Sequence, residues 1–285
     1  MTLTELKQTI YRQSPLNVIR PFWGQILSTL ILLLASGLGL WAFLFPFFLP
    51  PSVRDTSITA TRNQAHTEDA PLIFILLLGL CLVVIVANLE TNRLDARAIA
   101  VLGVLAGINA TLRLIPGPGG FSPMFVLPIL CGYVFGPTFG FLLGALSMLV
   151  SGIITSGVGP WLPFQMFGLG WVGLLAGWLS PLVSRPRWAV LMLAGWGLLA
   201  GFLYGLVTNL WFWPYLAAPA GAELVTWEPG LGIMVTLTRY GIFYLTTSLW
   251  WDAGRAFGNL VLILLVGPPV LRLLKRFKSK FQFSA

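Results

Sequence analysis

Long uncharged apolar stretches alternate along this chain with short polar, charged or proline- and glycine-rich breaks. An α-helix needs about 20 apolar residues to cross a bilayer core, and the pattern predicts eight such spans. Residues 22–49 form the first and end among aromatics and prolines, as at a membrane interface. A polar segment, 52–70, separates it from the second span, 71–89. The charged connection 90–97 leads to the third span, 98–115, which Pro116-Gly117-Pro118-Gly119-Gly120 ends. A short fourth span, 121–135, turns at Gly136-Pro137 into the fifth, 138–154.

The stretch 156–180 supplies the sixth span. It opens on Gly157-Val158-Gly159 and continues Pro160-Trp161-Leu162-Pro163, where a proline suits the first turn of a helix. Gln165 follows inside an otherwise apolar segment, and a polar group at that depth needs a partner, protein or ligand. Gly168, Gly170, Gly173 and Gly177 let neighbouring helices approach closely. Residues 188–213 are the seventh span. Residues 231–248 are apolar but contain Arg239, Tyr240 and Tyr244, and the run 256–271 leads into a basic tail.

Charge decides the topology. Lys7, Arg12, Arg20, Arg93, Arg97, Arg185, Arg187, Arg272, Lys275, Arg276, Lys278 and Lys280 fall on one side if 231–248 is an outer-leaflet or re-entrant helix. Arg54, Arg62 and Arg113 fall on the other. The positive-inside rule then puts both termini in the cytoplasm, with the polar loop holding Asp55, His66, Glu68 and Asp69 outside. The expectation is an all-α integral membrane protein of about eight helices. It divides into 1–90, an N-terminal segment with a two-helix hairpin, and 91–285, a six-span core with a basic tail.

The composition, 57% hydrophobic and 9% charged, agrees with that class. The net charge of +8 sits in short loops and tails, so it reads as membrane topology and not as a nucleic-acid surface. Cys81 and Cys131 each lie inside an apolar run and read as buried small hydrophobes. With His66 in a polar loop they make no zinc site, and no cofactor is expected. The chain has no Gly-Lys dipeptide, hence no P-loop, and cannot act alone as a P-loop ATPase. The core's single intramembrane acid, Asp252, argues for binding or transport over catalysis.

Candidate binding groups follow from the cost of polar side chains in lipid, about 2.5–3.5 kcal/mol for a charge at mid-helix. Asn109 and Arg113 lie four apart on the outer half of the third span. Asp252, Arg255 and Asn259 share one helical face; the first two either pair locally or serve a ligand. Gln165 and Asn209 complete the polar set. For Trp161, Trp211, Trp213 and Trp250 the interfacial belt is the favoured reading, with ligand stacking as the alternative. Ala96/Ala100 and Gly103/Gly107 are small-x-x-x-small pairs, which pack inside the core or offer a flat face to a partner helix. Spacing alone favours internal packing.

Three stretches carry a resemblance. They are the basic-flanked helix 93–113 with its Ala-x-x-x-Ala, the run FSPMFVLPILCGYVFGPTFGFLLGALSMLVSGI at 121–153, and GVGPWLPFQMFGLGWVGLLAG at 157–177. Residues 91–275 resemble the substrate-specific (S) components of energy-coupling factor (ECF) transporters. The G-P-W-x-P-x-Q-M element resembles the branch that includes cobalamin-type S components. The resemblance implies capture of a vitamin or related micronutrient from outside. It further implies docking on a transmembrane coupling protein with two cytoplasmic ATPases, and toppling in the plasma membrane to release substrate inside. Residues 22–90 depart from the six-span pattern. The competing class is a non-transport membrane protein, such as an assembly factor or a lipid-modifying enzyme.

Overall fold

A computed structural model describes residues 15–48, 70–90, 96–183, 185–216, 221 and 223–282. The expected outer loop with His66, and the N-terminal Lys7 and Arg12, lie outside the described residues. Nine α-helices make up the described chain: α1 (Pro15–Leu44), α2 (Ala70–Glu90), α3 (Ala96–Leu112), α4 (Val126–Phe135), α5 (Pro137–Ile154), α6 (Leu162–Trp178), α7 (Pro186–Asn209), α8 (Ile233–Phe243) and α9 (Leu249–Gln282). Eight of them coincide with the eight predicted spans, and α8 is the additional short helix. The protein is an all-α, multi-pass membrane protein.

Short connections between the helices give the bundle two distinct ends. Arg97, Arg185, Arg187, Lys275 and Lys278 mark a basic end. The other end gathers the loop after α3, the Gly157–Trp161 turn, the end of α7 and the start of α9; we call it the mouth.

The centre is α4, α5 and α6, whose side chains are mostly buried. Lipid offers no hydrophobic drive between helices, so close van der Waals packing must hold them. Glycine makes that possible here: a Cβ on Gly140 or on Gly173 would overlap the other's carbonyl. Backbone therefore rests on backbone where α5 crosses α6. Around this centre α3 packs on α5, α9 packs along α7, and the α1–α2 pair leans on α6. The α1 contact is specific: Phe43 meets Phe164 edge-on at 5.0 Å between centroids, and Trp171 Nε1 donates to Ser36 Oγ at 3.1 Å.

Two features differ from the sequence reading in extent. The last helix begins at Leu249 and runs through Pro268 and Pro269 to Gln282, well past the predicted end of the apolar run. Leu271 and Leu274 are buried, Lys275 lies over the Tyr133 ring at 5.7 Å, and Lys278 Nζ donates to the Val134 carbonyl at 2.6 Å. The basic tail is thus amphipathic, and its contacts with α4 carry the helix onward.

The segment 231–248 forms α8, eleven residues long, and a π-helical turn, Tyr244–Ser248, that leads straight into α9. Eleven residues rise about 16 Å, half of a hydrocarbon core, but α8 is continuous with α9 over Ile233–Lys280, so it extends the last helix at the mouth end and does not re-enter. Tyr240 donates to the Leu206 carbonyl, and Tyr240 and Phe243 join Trp213, Phe212 and Trp227 in an aromatic cluster at the mouth end. Trp213 is therefore not a belt residue. It is 1% exposed, and its Nε1 donates to the Val225 carbonyl at 2.9 Å. Trp250, 75% exposed, keeps the belt reading.

The glycine crossing predicts a sharp contrast. Gly173→Leu should abolish a monodisperse folded protein in detergent, since overpacking against immobile backbone costs about 1–3 kcal/mol or more. Gly103→Leu, where a Cβ meets nothing within 4 Å, should leave the melting temperature unchanged. Equal melting curves for the two variants would refute the packing account.

Candidate functional site

The loop after α3, the Gly157–Trp161 turn and the ends of α7 and α9 bring polar groups from five helices to the mouth. Arg113 follows the last turn of α3 and is half-buried. Its Nη1 donates to Ser151 Oγ at 2.9 Å and touches Met148 Sδ at 3.2 Å, both on α5. Its Nη2 donates to Gln165 Oε1 on α6 at 3.4 Å. Gln165 lies in the first turn of α6 because Pro163 starts that helix. Arg113 and Gln165, two residues singled out separately in the sequence, are thus direct partners.

Asn109 lies one turn before Arg113 on the same face of α3. It is fully buried, and neither amide atom has a hydrogen-bond partner.

Aromatics flank this group. Trp161 is 39% exposed, and its Nε1 donates to the Gly157 carbonyl at 3.2 Å, which closes its own turn. Its ring meets Trp211 edge-on at 6.2 Å, and Trp211 reaches Phe164 at 6.4 Å. Trp161 and Trp211 therefore form a connected wall beside Gln165.

Asp252 and Arg255 make a direct ion pair on α9, with side chains 3% and 17% exposed. The carboxylate lies against Gly205 of α7, where any Cβ would overlap both of its oxygens. Arg255 also donates to the Gly201 carbonyl at 3.3 Å and stacks over Tyr204 and Phe125 at 5.1 and 5.7 Å. The Tyr204 ring packs on Gly168 of α6, one turn below Gln165, and lies within electrostatic reach of both Arg255 and Arg113. The Tyr244 hydroxyl faces the Asp252 carboxylate closely enough to interact with it.

Asn209 and Asn259 stand apart from the Arg113 group. Asn209 Nδ2 donates to Ser248 Oγ at 2.7 Å and ties α7 to the π turn. Asn259 lies two turns deeper than Asp252, is fully buried, and donates to the Gly197 carbonyl at 3.2 Å. Its visible role is to hold α9 on α7.

On α3, Ala100 and Gly103 are exposed and Gly107 is half-buried. A Cβ at either glycine meets nothing within 4 Å. The stripe is open rather than packed within the chain, contrary to what spacing favours; nothing is described of the Ala96 side chain. Two apolar cavities lie elsewhere: one of about 200 Å³ between α1, α5 and α6, lined by Ser36, Trp171 and Trp178, and a shallow one at the basic end beside Arg185 and Trp188.

Sequence reasoning missed Ser151, Met148 and Tyr204. Serines at 147 and 151, one turn apart in an apolar helix, were an available signal. Tyr204, five residues before Asn209 within the seventh span, was another.

The ion pair generates a non-additive prediction. Arg255→Met alone strands a buried carboxylate and should cost about 3–5 kcal/mol. Adding Asp252→Asn should restore most of that loss, measured by unfolding in detergent. A double variant less stable than the single one would show that the pair does not act as a unit.

Comparison with known proteins agrees with this architecture. The family model described as "ECF transporter, substrate-specific component" matches residues 97–267. No curated protein and no solved structure matches the chain. The matched region runs from α3 into α9 and contains Arg113, Ser151, Gln165, Tyr204 and Asp252. It covers more than half of the chain, and the chain belongs to the ECF transporter substrate-specific component family.

Proposed function

We propose that this protein captures a vitamin or related micronutrient at the mouth and delivers it for ATP-driven uptake by partner subunits. A cobalamin-like compound is the first candidate. The observation that carries the reading is the joining of Arg113, Gln165 and Ser151 beside the Trp161–Trp211 wall, all within the family-matched region. Polar groups fix orientation while aromatic faces cover a large apolar body, as in small-molecule sites generally. A corrinoid is both bulky and partly apolar, which suits such a wall.

The chain carries no P-loop, and its Gly168–Gly173 glycines lie inside helix α6 as a packing face, so on this reading energy comes from partner subunits. The partners on this reading are a transmembrane coupling protein and two cytoplasmic ATPases. The open Ala100–Gly103–Gly107 stripe of α3, with Ala96 at its start, gives a coupling helix a flat approach. The bundle's basic end faces the cytoplasm in a plasma membrane, with both termini there and the mouth outside. The α1–α2 pair is then an addition to a six-span core.

Co-expression with a coupling protein and its ATPases tests the reading. The complex should copurify, hydrolyse ATP only when the ATPases are present, and carry a small molecule that mass spectrometry identifies after extraction. ATP hydrolysis by this chain alone would overturn it. Ala100→Trp should prevent complex formation and leave affinity for the extracted compound roughly unchanged; loss of both would mean the stripe packs within the chain. Gln165→Ala should weaken binding about threefold to tenfold, as expected for one lost hydrogen bond. Trp161→Ala should weaken it more. A Trp161→Ala protein that melts lower yet binds unchanged would make that indole an anchor only.

A further inference from the structure

Two unmet demands meet on one face of α3. The amide of Asn109 is fully buried with both polar atoms unpartnered. Buried polar groups without partners are rare, because each costs free energy that a hydrogen bond would recover. One turn on, Arg113 is held only by neutral groups: the Ser151 hydroxyl, the Met148 thioether and the Gln165 carbonyl oxygen. Among the described residues it has no carboxylate partner.

The charge of the neighbourhood makes this specific. Arg255 is neutralised by Asp252, and Arg239 is paired with Glu228 at 3.5 Å. Among the described residues at the mouth, Arg113 is the cation without a carboxylate, and it is half-buried. Its contacts point inward to α5 and α6, away from a lipid-facing position.

We propose that Arg113, with Asn109 beneath it, is a subsite for an anionic group of the captured solute, a carboxylate or a phosphate. The inference rests on the substrate-capture reading and adds to it the charge of the substrate. Carboxylate and phosphate oxygens only accept hydrogen bonds, which matches a guanidinium and the N–H groups of an amide. The guanidinium fork also engages such oxygens in pairs. A solute with no anionic group leaves Arg113 uncompensated, so the site selects against it.

The test uses the full chain in phosphatidylcholine nanodiscs and three aromatic probes: benzoate, phenyl phosphate and the isosteric but neutral benzamide. Binding is read by melting-temperature shift and by saturation-transfer NMR at constant ionic strength. Benzoate or phenyl phosphate should bind saturably and benzamide should not. Arg113→Gln should weaken the anion at least about tenfold, the expected effect of losing a hydrogen bond between charged groups. Arg113→Lys, which retains the charge, should keep the preference for anion over benzamide and guards against a folding defect in Arg113→Gln. Arg185→Gln, at the basic end, should change nothing. Equal binding of benzoate and benzamide, or an anion response that survives Arg113→Gln, overturns the proposal. Adding phosphatidylglycerol should leave the benzoate response intact; its disappearance would assign the site to a lipid headgroup and likewise overturn the proposal. The probes need no coupling protein, so failure to assemble a transporter and failure to select anions are separate results.

Discussion

Where α5 crosses α6, Gly140 and Gly173 lie so close that neither can carry a side chain. The meeting of α5 and α6 side chains at the mouth depends on that contact. In a bilayer the apolar surface of one helix gains little by leaving lipid for another helix, so fit and not hydrophobicity decides the arrangement. A backbone-to-backbone crossing fixes the distance and rotation of two helices as no pair of flexible side chains could. Ser151, at the far end of α5, and Gln165, at the near end of α6, are thereby delivered to the same Arg113. The α7–α9 pair uses the same device: Gly205 leaves room for Asp252, and Gly201 for Ala256.

On this rigid base the mouth concentrates groups that lipid penalises. Arg113, Asn109, Gln165, Asp252 and Arg255 all lie in the mouth half, and most are satisfied by one another or by backbone carbonyls. Among the described residues the Asn109 amide at the mouth is left without a partner on either polar atom, while deeper in the bundle Asn259 is left unmatched on its oxygen alone. Unmet hydrogen-bonding capacity at one end of a binding subunit is what a solute can complete.

Much of the architecture is legible in the sequence because a bilayer imposes a length on every crossing. The eight predicted spans correspond to α1–α7 and α9, and the proline and glycine breaks at 116–120 and 136–137 fall where helices end. The end of the last helix was not legible: Pro268, Pro269 and five basic residues read as a stop, while Leu271, Leu274 and Lys278 hold a continuing helix on α4. The site was legible one residue at a time. Arg113 and Gln165 stand out as polar groups in apolar runs, but they are 52 positions apart and no local pattern joins them. Ser151 was hidden because a helical serine commonly bonds its own backbone, as this one does to the Met148 carbonyl at 3.0 Å. Tyr204 was hidden because an aromatic in a span reads as packing. Trp213 misled for the opposite reason: a tryptophan near a helix end suggests a belt, and only the fold of α8 over it makes it core.

The central claim is that solute binds at the mouth, among Arg113, Gln165 and the Trp161–Trp211 wall. Electron cryo-microscopy of the chain purified with its endogenous solute tests this most directly. The account predicts solute density within hydrogen-bond distance of Arg113 and Gln165, with its apolar part against Trp211. Density instead in the apolar cleft between α1, α5 and α6, beside Trp171 and Trp178, with the Arg113–Gln165 contact undisturbed, would contradict it.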